Sequence, residues 1–214
     1  EAEAATGARL QAAVAAAEVG KDLLDKRMVR TARDVLEPVV RGLAGSRVPN
    51  RPAFARLFML HSLALQALMP ANSDSARSLG LSRMLLSQES PMLPEVVWAQ
   101  AKMARSIGHY QNYSILIDEA LEKLKARSSI RLRGNLLIER GYARLLMGAL
   151  SKAEASFSEA EVMLRSHAHQ NVMARARTGV SACIAEAGRL AESVQISSES
   201  MALLEQSSDR QGFW

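Results

Sequence analysis

The chain has 214 residues, of which 48% are hydrophobic, 23% charged and only 4% aromatic, a composition that favours an aliphatic helical core. Its net charge of +5 is too small to indicate nucleic-acid binding without a clustered patch or a recognised motif, so direct contact with nucleic acid is not expected. The single cysteine, Cys183, excludes an intrachain disulfide, and no apolar run is long enough to span a bilayer.

The first predicted element is a helical hairpin over residues 2–44. One face of a long first helix is marked by Leu10, Val14, Ala17 and Leu24. A second periodic pattern follows from Met28. Pro38 falls inside that second pattern, where we expect it to break or kink the helix. A linker is predicted over residues 45–50.

A second hairpin is predicted over residues 52–88. Pro52 suits the first turn of a helix, and apolar residues follow it at helical spacing. The turn is expected at residues 70–74, where Ser73 or Asp74 could serve as the N-cap of the next helix.

Three further hairpins are predicted over residues 94–127, 130–166 and 171–205. Gly108, Gly148 and Gly188 stand 40 residues apart, each at the turn between two helices, where glycine accepts the left-handed conformation that ends a helix. Such a period is typical of stacked repeats. The sequence therefore predicts an all-α, right-handed superhelical stack of about five antiparallel hairpins. We expect one repeat domain over residues 1–214, and the chain to be a fragment whose tail, ending at Trp214, begins a further unit.

The fourth hairpin carries the most specific motif. Its small and aromatic residues follow the order G-x6-G-x4-A-x3-F-x2-A. This pattern resembles that of the tetratricopeptide repeat (TPR), here with a repeat length of 40 residues. The matching residues are Gly141, Gly148, Ala153, Phe157 and Ala160. Arg144 and Arg165 depart from the usual tyrosine and proline of that family. In the preceding unit Tyr113 replaces a small residue.

The resemblance implies that the first helix of each hairpin lines a groove that binds a partner. Carried over to this sequence, the groove positions of the third hairpin include Trp98, Lys102 and Arg105. Those of the next two hairpins include Asn135, Glu139, Tyr142, Arg175 and Thr178. Trp98 and Tyr142 could anchor an apolar side chain, and Lys102 and Arg105 a carboxylate. The alternative is that Trp98 is a packing residue and that the two cations form a solvated face.

Other candidate sites are weaker. Six arginines at positions 131, 133, 140, 144, 175 and 177 could form a basic ridge for an acidic peptide, or pair locally with glutamates, and the second interpretation is favoured because no stacking aromatics are interleaved. His167 and His169 alone do not indicate a metal site. Phosphate-binding and hydrolase motifs are absent, so we predict no catalysis, no cofactor and no metal.

The predicted function is a non-catalytic scaffold or adaptor that binds an extended or helical segment of a partner protein within a larger assembly. The alternative is the partner- or ligand-sensing repeat region of a large transcription regulator, because 40-residue repeats of this kind look like those of the maltose-activator type. Either protein is expected to be intracellular, in the cytoplasm or nucleus, without membrane contact.

Overall fold

The structure, a computed structural model, describes residues 2–43, 51–69, 72–124, 129–165 and 169–206. Within these ranges all the regular structure is α-helical, in ten helices, so the all-α prediction is confirmed. The whole of the predicted linker at 45–50, Pro70, Ala71, His167 and the tail with Trp214 lie outside the described residues.

Residues 1–109 form one compact unit. Its helices are α1 (Ala2–Asp25), α2 (Val29–Gly42), α3 (Arg51–Leu68), α4 (Ser73–Met84) and α5 (Leu93–Ser106). Helix α3 lies at the centre of this unit, because it packs against each of the other four helices. Its buried Phe54 and Leu57 share a core with Leu36 of α2 and Leu79 of α4.

Residues 110–214 form the second compact unit. Its helices are α6 (Tyr110–Glu122), α7 (Ile130–Leu146), α8 (Leu150–Leu164), α9 (Gln170–Glu186) and α10 (Leu190–Gln206). Hairpins α7–α8 and α9–α10 are each packed internally, and α9 also packs against both α7 and α8. The prediction of a single domain over the whole chain stays a prediction.

The glycines of the 40-residue column end their helices as predicted. Gly148 has a φ of 74°, and the next amide, that of Ala149, donates to the carbonyl of Arg144 at 2.9 Å. Gly108 and Gly188 have φ values of 79° and 80° and the same hydrogen-bond pattern. These bonds satisfy carbonyl groups that the end of the helix leaves without a partner, which is why glycine recurs at this point.

The turn between α1 and α2 uses the same geometry without glycine. Arg27 has a φ of 61°, and the amide of Met28 donates to the carbonyl of Leu23 at 2.8 Å. A residue with a Cβ atom is strained in this left-handed conformation. The first hairpin is therefore closed like the later ones, at a conformational cost.

Phe157 organises the core of the second unit. Its ring is fully buried, and a Cβ atom added at Gly141 or Gly179 would lie within 2.5 Å of it. Glycine at these two positions lets the backbones of α7 and α9 both approach the ring closely. Gly141 and Phe157 of the motif thus belong to one packing contact, which Gly179 of the next hairpin shares.

Three local predictions about the first unit need correction. Helix α2 runs through Pro38 to Gly42, because the buried Ala32 and Leu36 hold it in the core while the proline removes one helical hydrogen bond. The N-cap of α4 is Asn72, whose side-chain oxygen accepts from the amide of Asp74 at 2.7 Å, and is neither Ser73 nor Asp74. Helix α4 ends at Met84, before the predicted limit at residue 88.

Candidate functional site

Three of the predicted groove residues meet between the first helices of the last two hairpins. Asn135 and Glu139 lie one turn apart on α7, and Arg175 reaches both of them from α9. Its Nη1 atom donates to Oδ1 of Asn135 at 2.8 Å, and Nη2 lies 3.6 Å from Oε1 of Glu139. Because the guanidinium is held by an amide and a carboxylate, its orientation is fixed.

The carboxylate of Glu139 is almost completely buried, with 2% of its surface exposed. The hydroxyl group of Tyr113 on α6 lies 2.5 Å from Oε2 of Glu139 and 3.0 Å from its main-chain oxygen. Tyr113 is the residue that departs from the small side chain usual at its position. The hydroxyl and the guanidinium together solvate a carboxylate that burial alone would exclude.

Tyr142 lies one turn beyond Glu139 on α7 and is half-buried. Its ring meets that of Phe157 edge to face, with a centroid distance of 5.0 Å and an interplanar angle of 74°. This contact fixes the tyrosine ring against the core. On α9, Thr178 is exposed on the next turn after Arg175.

The face formed by Asn135, Tyr142, Arg175 and Thr178, which we call the α7–α9 face, therefore presents polar and aromatic groups that are positioned before any ligand arrives. An oriented guanidinium suits a carboxylate or a carbonyl oxygen, and a half-buried tyrosine offers apolar area with little entropy to lose.

The remaining predicted residues lie on α5 in the first unit. The Nζ atom of Lys102 lies 4.0 Å from the centroid of the Trp98 ring, one helical turn away, which is a cation–π contact. Trp98 is half-buried, and within the described part of the chain its indole Nε1 is buried without a hydrogen-bond partner. Arg105 is exposed on the following turn.

Three of the six arginines of the proposed basic ridge, Arg140, Arg175 and Arg177, pair with glutamates, as the favoured interpretation expected. Arg140 lies 2.5 Å from Glu159, and Arg177 lies 3.3 Å from Glu161 and 2.9 Å from Glu199. Glu159 and Glu199, which are 40 residues apart in the sequence, therefore hold arginines of α7 and α9. Arg144, where the family has tyrosine, donates to Oγ of Ser156 at 2.7 Å, so this departure is also used in packing.

In the described ranges, no three His, Cys, Asp or Glu side chains come together to hold a metal ion. Burial raises the pKa of the Cys183 thiol to about 11, which keeps it protonated at neutral pH. His169 precedes α9, and its possible partner His167 is not described. None of the described helices is both long and apolar enough to cross a membrane.

Comparison by sequence finds no matching family model and no matching curated protein. Comparison by structure finds several helical-repeat proteins. A protein of kinesin light chain type with TPR-like repeats, from Podosopora anserina, has a TM-score of 0.69 at 14% identity, covering 91% of this chain and 96% of its own. BtubC from P. vanneervenii has a TM-score of 0.71 at 9% identity, covering 94% and 91% of the two chains.

A third structure is the Rap protein complexed with Competence and Sporulation Factor, which has a TM-score of 0.73 at 13% identity. The match covers 87% of this chain and 53% of the Rap chain, so it spans about half of that protein. At these identities the likeness concerns the fold. It confirms that this chain has the TPR-like helical-repeat fold that the motif around Phe157 predicted.

Proposed function

We propose that this chain, a TPR-like helical repeat, is a non-catalytic scaffold that holds an extended or helical segment of a partner protein. The observation that carries the proposal is the fixed guanidinium of Arg175, which is held by Asn135 and Glu139 on the neighbouring helix. A surface that keeps its binding groups ordered loses less entropy when a ligand binds.

The chemistry of the α7–α9 face supports a proposal for the kind of segment that binds. Arg175 suits an acidic side chain, a C-terminal carboxylate or a main-chain carbonyl of the partner, and the ring of Tyr142 suits an apolar side chain beside it. The carboxylate of Glu139 is buried, so Glu139 orients Arg175 from the interior side of the face. Binding energy is expected from these few anchors.

In the first unit we propose that Trp98, Lys102 and Arg105 form a separate contact surface on α5. The ammonium group of Lys102 over the indole ring makes a mixed cationic and aromatic surface. Such a surface suits an acidic or aromatic side chain of a partner.

The likeness to the Rap protein, which was solved in complex with Competence and Sporulation Factor, supports a role in binding other molecules. We also propose that the chain is part of a larger complex and that it is intracellular. The alternative proposal is a role in a transcription regulator. The identity of the captured partner would distinguish a complex subunit from a regulator.

The test is affinity capture with the whole chain, identification of the bound protein, and titration of that purified partner. Thr178→Glu places a negative charge beside Arg175, and its matched control is Ala155→Glu, at an exposed position of α8. We expect Thr178→Glu to weaken binding about tenfold or more, which corresponds to roughly 1.4 kcal/mol, and Ala155→Glu to leave binding unchanged. Equal affinities of the two variants would refute the placement on the α7–α9 face.

A further inference from the structure

Helix α10 carries an exposed apolar face. Leu190 and Val194 are each 66% exposed and Met201 is 62% exposed. Their spacing of four and seven residues places them on one side of the helix. Large apolar side chains gathered on a surface mark an interaction site.

The repeat itself shows what covers this side of such a helix. Forty residues earlier, the equivalent positions on α8 are Leu150, Glu154 and Glu161. Helix α9 packs against α8, and its Arg177 lies 3.3 Å from Glu161, so this side of α8 faces the next helix. In α10 the two glutamates are replaced by Val194 and Met201, which makes the same side more apolar.

The covering helix presents small side chains to α8. The buried residues on that side of α9 follow a spacing of four, three and four, and they are Val172, Ala176, Gly179 and Cys183. Gly179 admits the ring of Phe157, so small residues on one helix accept a large residue on the other. This is the pattern that a cover for α10 should reproduce.

Helix α1 presents that pattern at the surface. Four exposed residues share the spacing of four, three and four, and they are Ala8, Ala12, Ala15 and Val19. They lie on the side away from the buried Ala13, Ala16 and Ala17, which pack into the first unit. A small-residue face is therefore exposed on α1, as a large-residue face is on α10.

We propose that α1 of one copy of this chain packs on α10 of a second copy. Pairing α10 with α10 would oppose large side chains, and pairing α1 with α1 would bury little apolar area, whereas α1 on α10 matches small with large, as in the α8–α9 contact. The contact is heterologous, so each copy keeps one unused face and can add another. It is separate from the α7–α9 face, so its failure would leave the proposed function standing.

The test uses two variants that each block one face. Val194→Lys places a charge on the α10 face, and Ala12→Lys places one on the α1 face. Analytical ultracentrifugation of the wild-type chain should show a mass that rises with concentration up to about 100 µM, in the range of a weak contact. Each variant alone should stay monomeric. A mixture of the two should form a dimer, because the intact α1 of Val194→Lys meets the intact α10 of Ala12→Lys.

The matched control is Val162→Lys on α8, since Val162 is also 66% exposed and belongs to neither face. It should associate like the wild type, and circular dichroism should show the same helix content in all variants. A wild-type chain that stays monomeric would overturn the proposal. So would a dimer of Ala12→Lys alone, which indicates α10 on α10, or a dimer of Val194→Lys alone, which indicates α1 on α1.

Discussion

Nη1 of Arg175 donates a 2.8 Å hydrogen bond to Oδ1 of Asn135, and the two residues are 40 positions apart, one repeat along the chain. Equivalent positions of successive hairpins therefore contact each other directly. The same guanidinium approaches the buried carboxylate of Glu139. The same side chain thus contributes both to the α7–α9 face and to the packing of α7 against α9.

Arg175→Met is expected to destabilise the chain by about 2 kcal/mol, because it leaves the buried Glu139 without its cation. Adding Glu139→Gln should recover part of this loss, since an amide is less costly to bury than an unpaired carboxylate. Urea denaturation followed by circular dichroism measures both variants. If the double variant is no more stable than Arg175→Met, the carboxylate is not the cause.

Gly179→Ala is expected to cost about 1–3 kcal/mol, because its methyl group would overlap the ring of Phe157. Phe157→Leu in the same chain should reduce the additional cost of the alanine by making room. The control is Gly80→Ala on α4, where a Cβ atom meets nothing within 4 Å. That variant should be neutral or stabilised by up to about 1 kcal/mol, from helix propensity alone. Similar losses in both alanine variants would contradict the steric explanation.

Arg27→Gly is expected to raise the free energy of unfolding by about 0.5–1 kcal/mol. Glycine relieves the strain of the left-handed conformation at this turn, although the more flexible unfolded chain offsets part of the gain. Gly148→Ala, at a turn of the same geometry, should show the opposite sign. Thermal unfolding compares the pair, and a lower melting temperature for Arg27→Gly would indicate that the arginine side chain contributes more than its backbone costs.

The stability of the chain is expected to fall as the pH drops below about 6.5, the ordinary pKa of histidine. Burial lowers the pKa of His61, an effect that Glu37 and Asp74 partly oppose, so the unfolded chain takes up a proton more readily than the folded one. His61 therefore contributes its full stability above that pH and loses it as the pH falls towards the lowered pKa. Urea titrations between pH 7.5 and pH 5 should show a smaller decline for His61→Gln.

Cys183 is expected to react slowly with iodoacetamide in the folded chain. With a pKa of about 11, only about one thiol in a thousand is ionised at pH 8, and the side chain is buried. Alkylation at pH 8 should be at least about a hundredfold slower than in urea. Comparable rates in the two conditions would show that α9 opens locally.

Sequence reasoning located those parts of the fold that depend on backbone chemistry. The glycine column identified the turns because the left-handed conformation favours one residue type. The turn at Arg27 has the same left-handed conformation as the turns at the three glycines. The sequence did not reveal this likeness, because the residue there is an arginine and not a glycine. Asn72 was missed as a cap because three adjacent residues were all suitable, and only the three-dimensional path of the chain decides between them.

The site was predictable in its positions and not in its internal contacts. The family pattern named Asn135, Glu139 and Arg175, but it could not show that Glu139 is buried. The burial of Glu139 depends on Tyr113, which the family pattern identified only as a tyrosine in place of a small residue. A tyrosine at a position for a small residue and a buried carboxylate are both unusual, and a hydrogen bond between them accounts for both.

The position of Phe157 between Gly141 and Gly179 has a consequence for how such a chain can change by duplication. The ring belongs to one hairpin, while one of the two glycines that admit it belongs to the next. A duplicated α7–α8 hairpin would therefore fit only in front of a hairpin with a glycine at the facing position. The group of residues that must be kept together therefore begins in one hairpin and ends in the next. A duplication or deletion with its boundaries at the turns would separate Phe157 from Gly179.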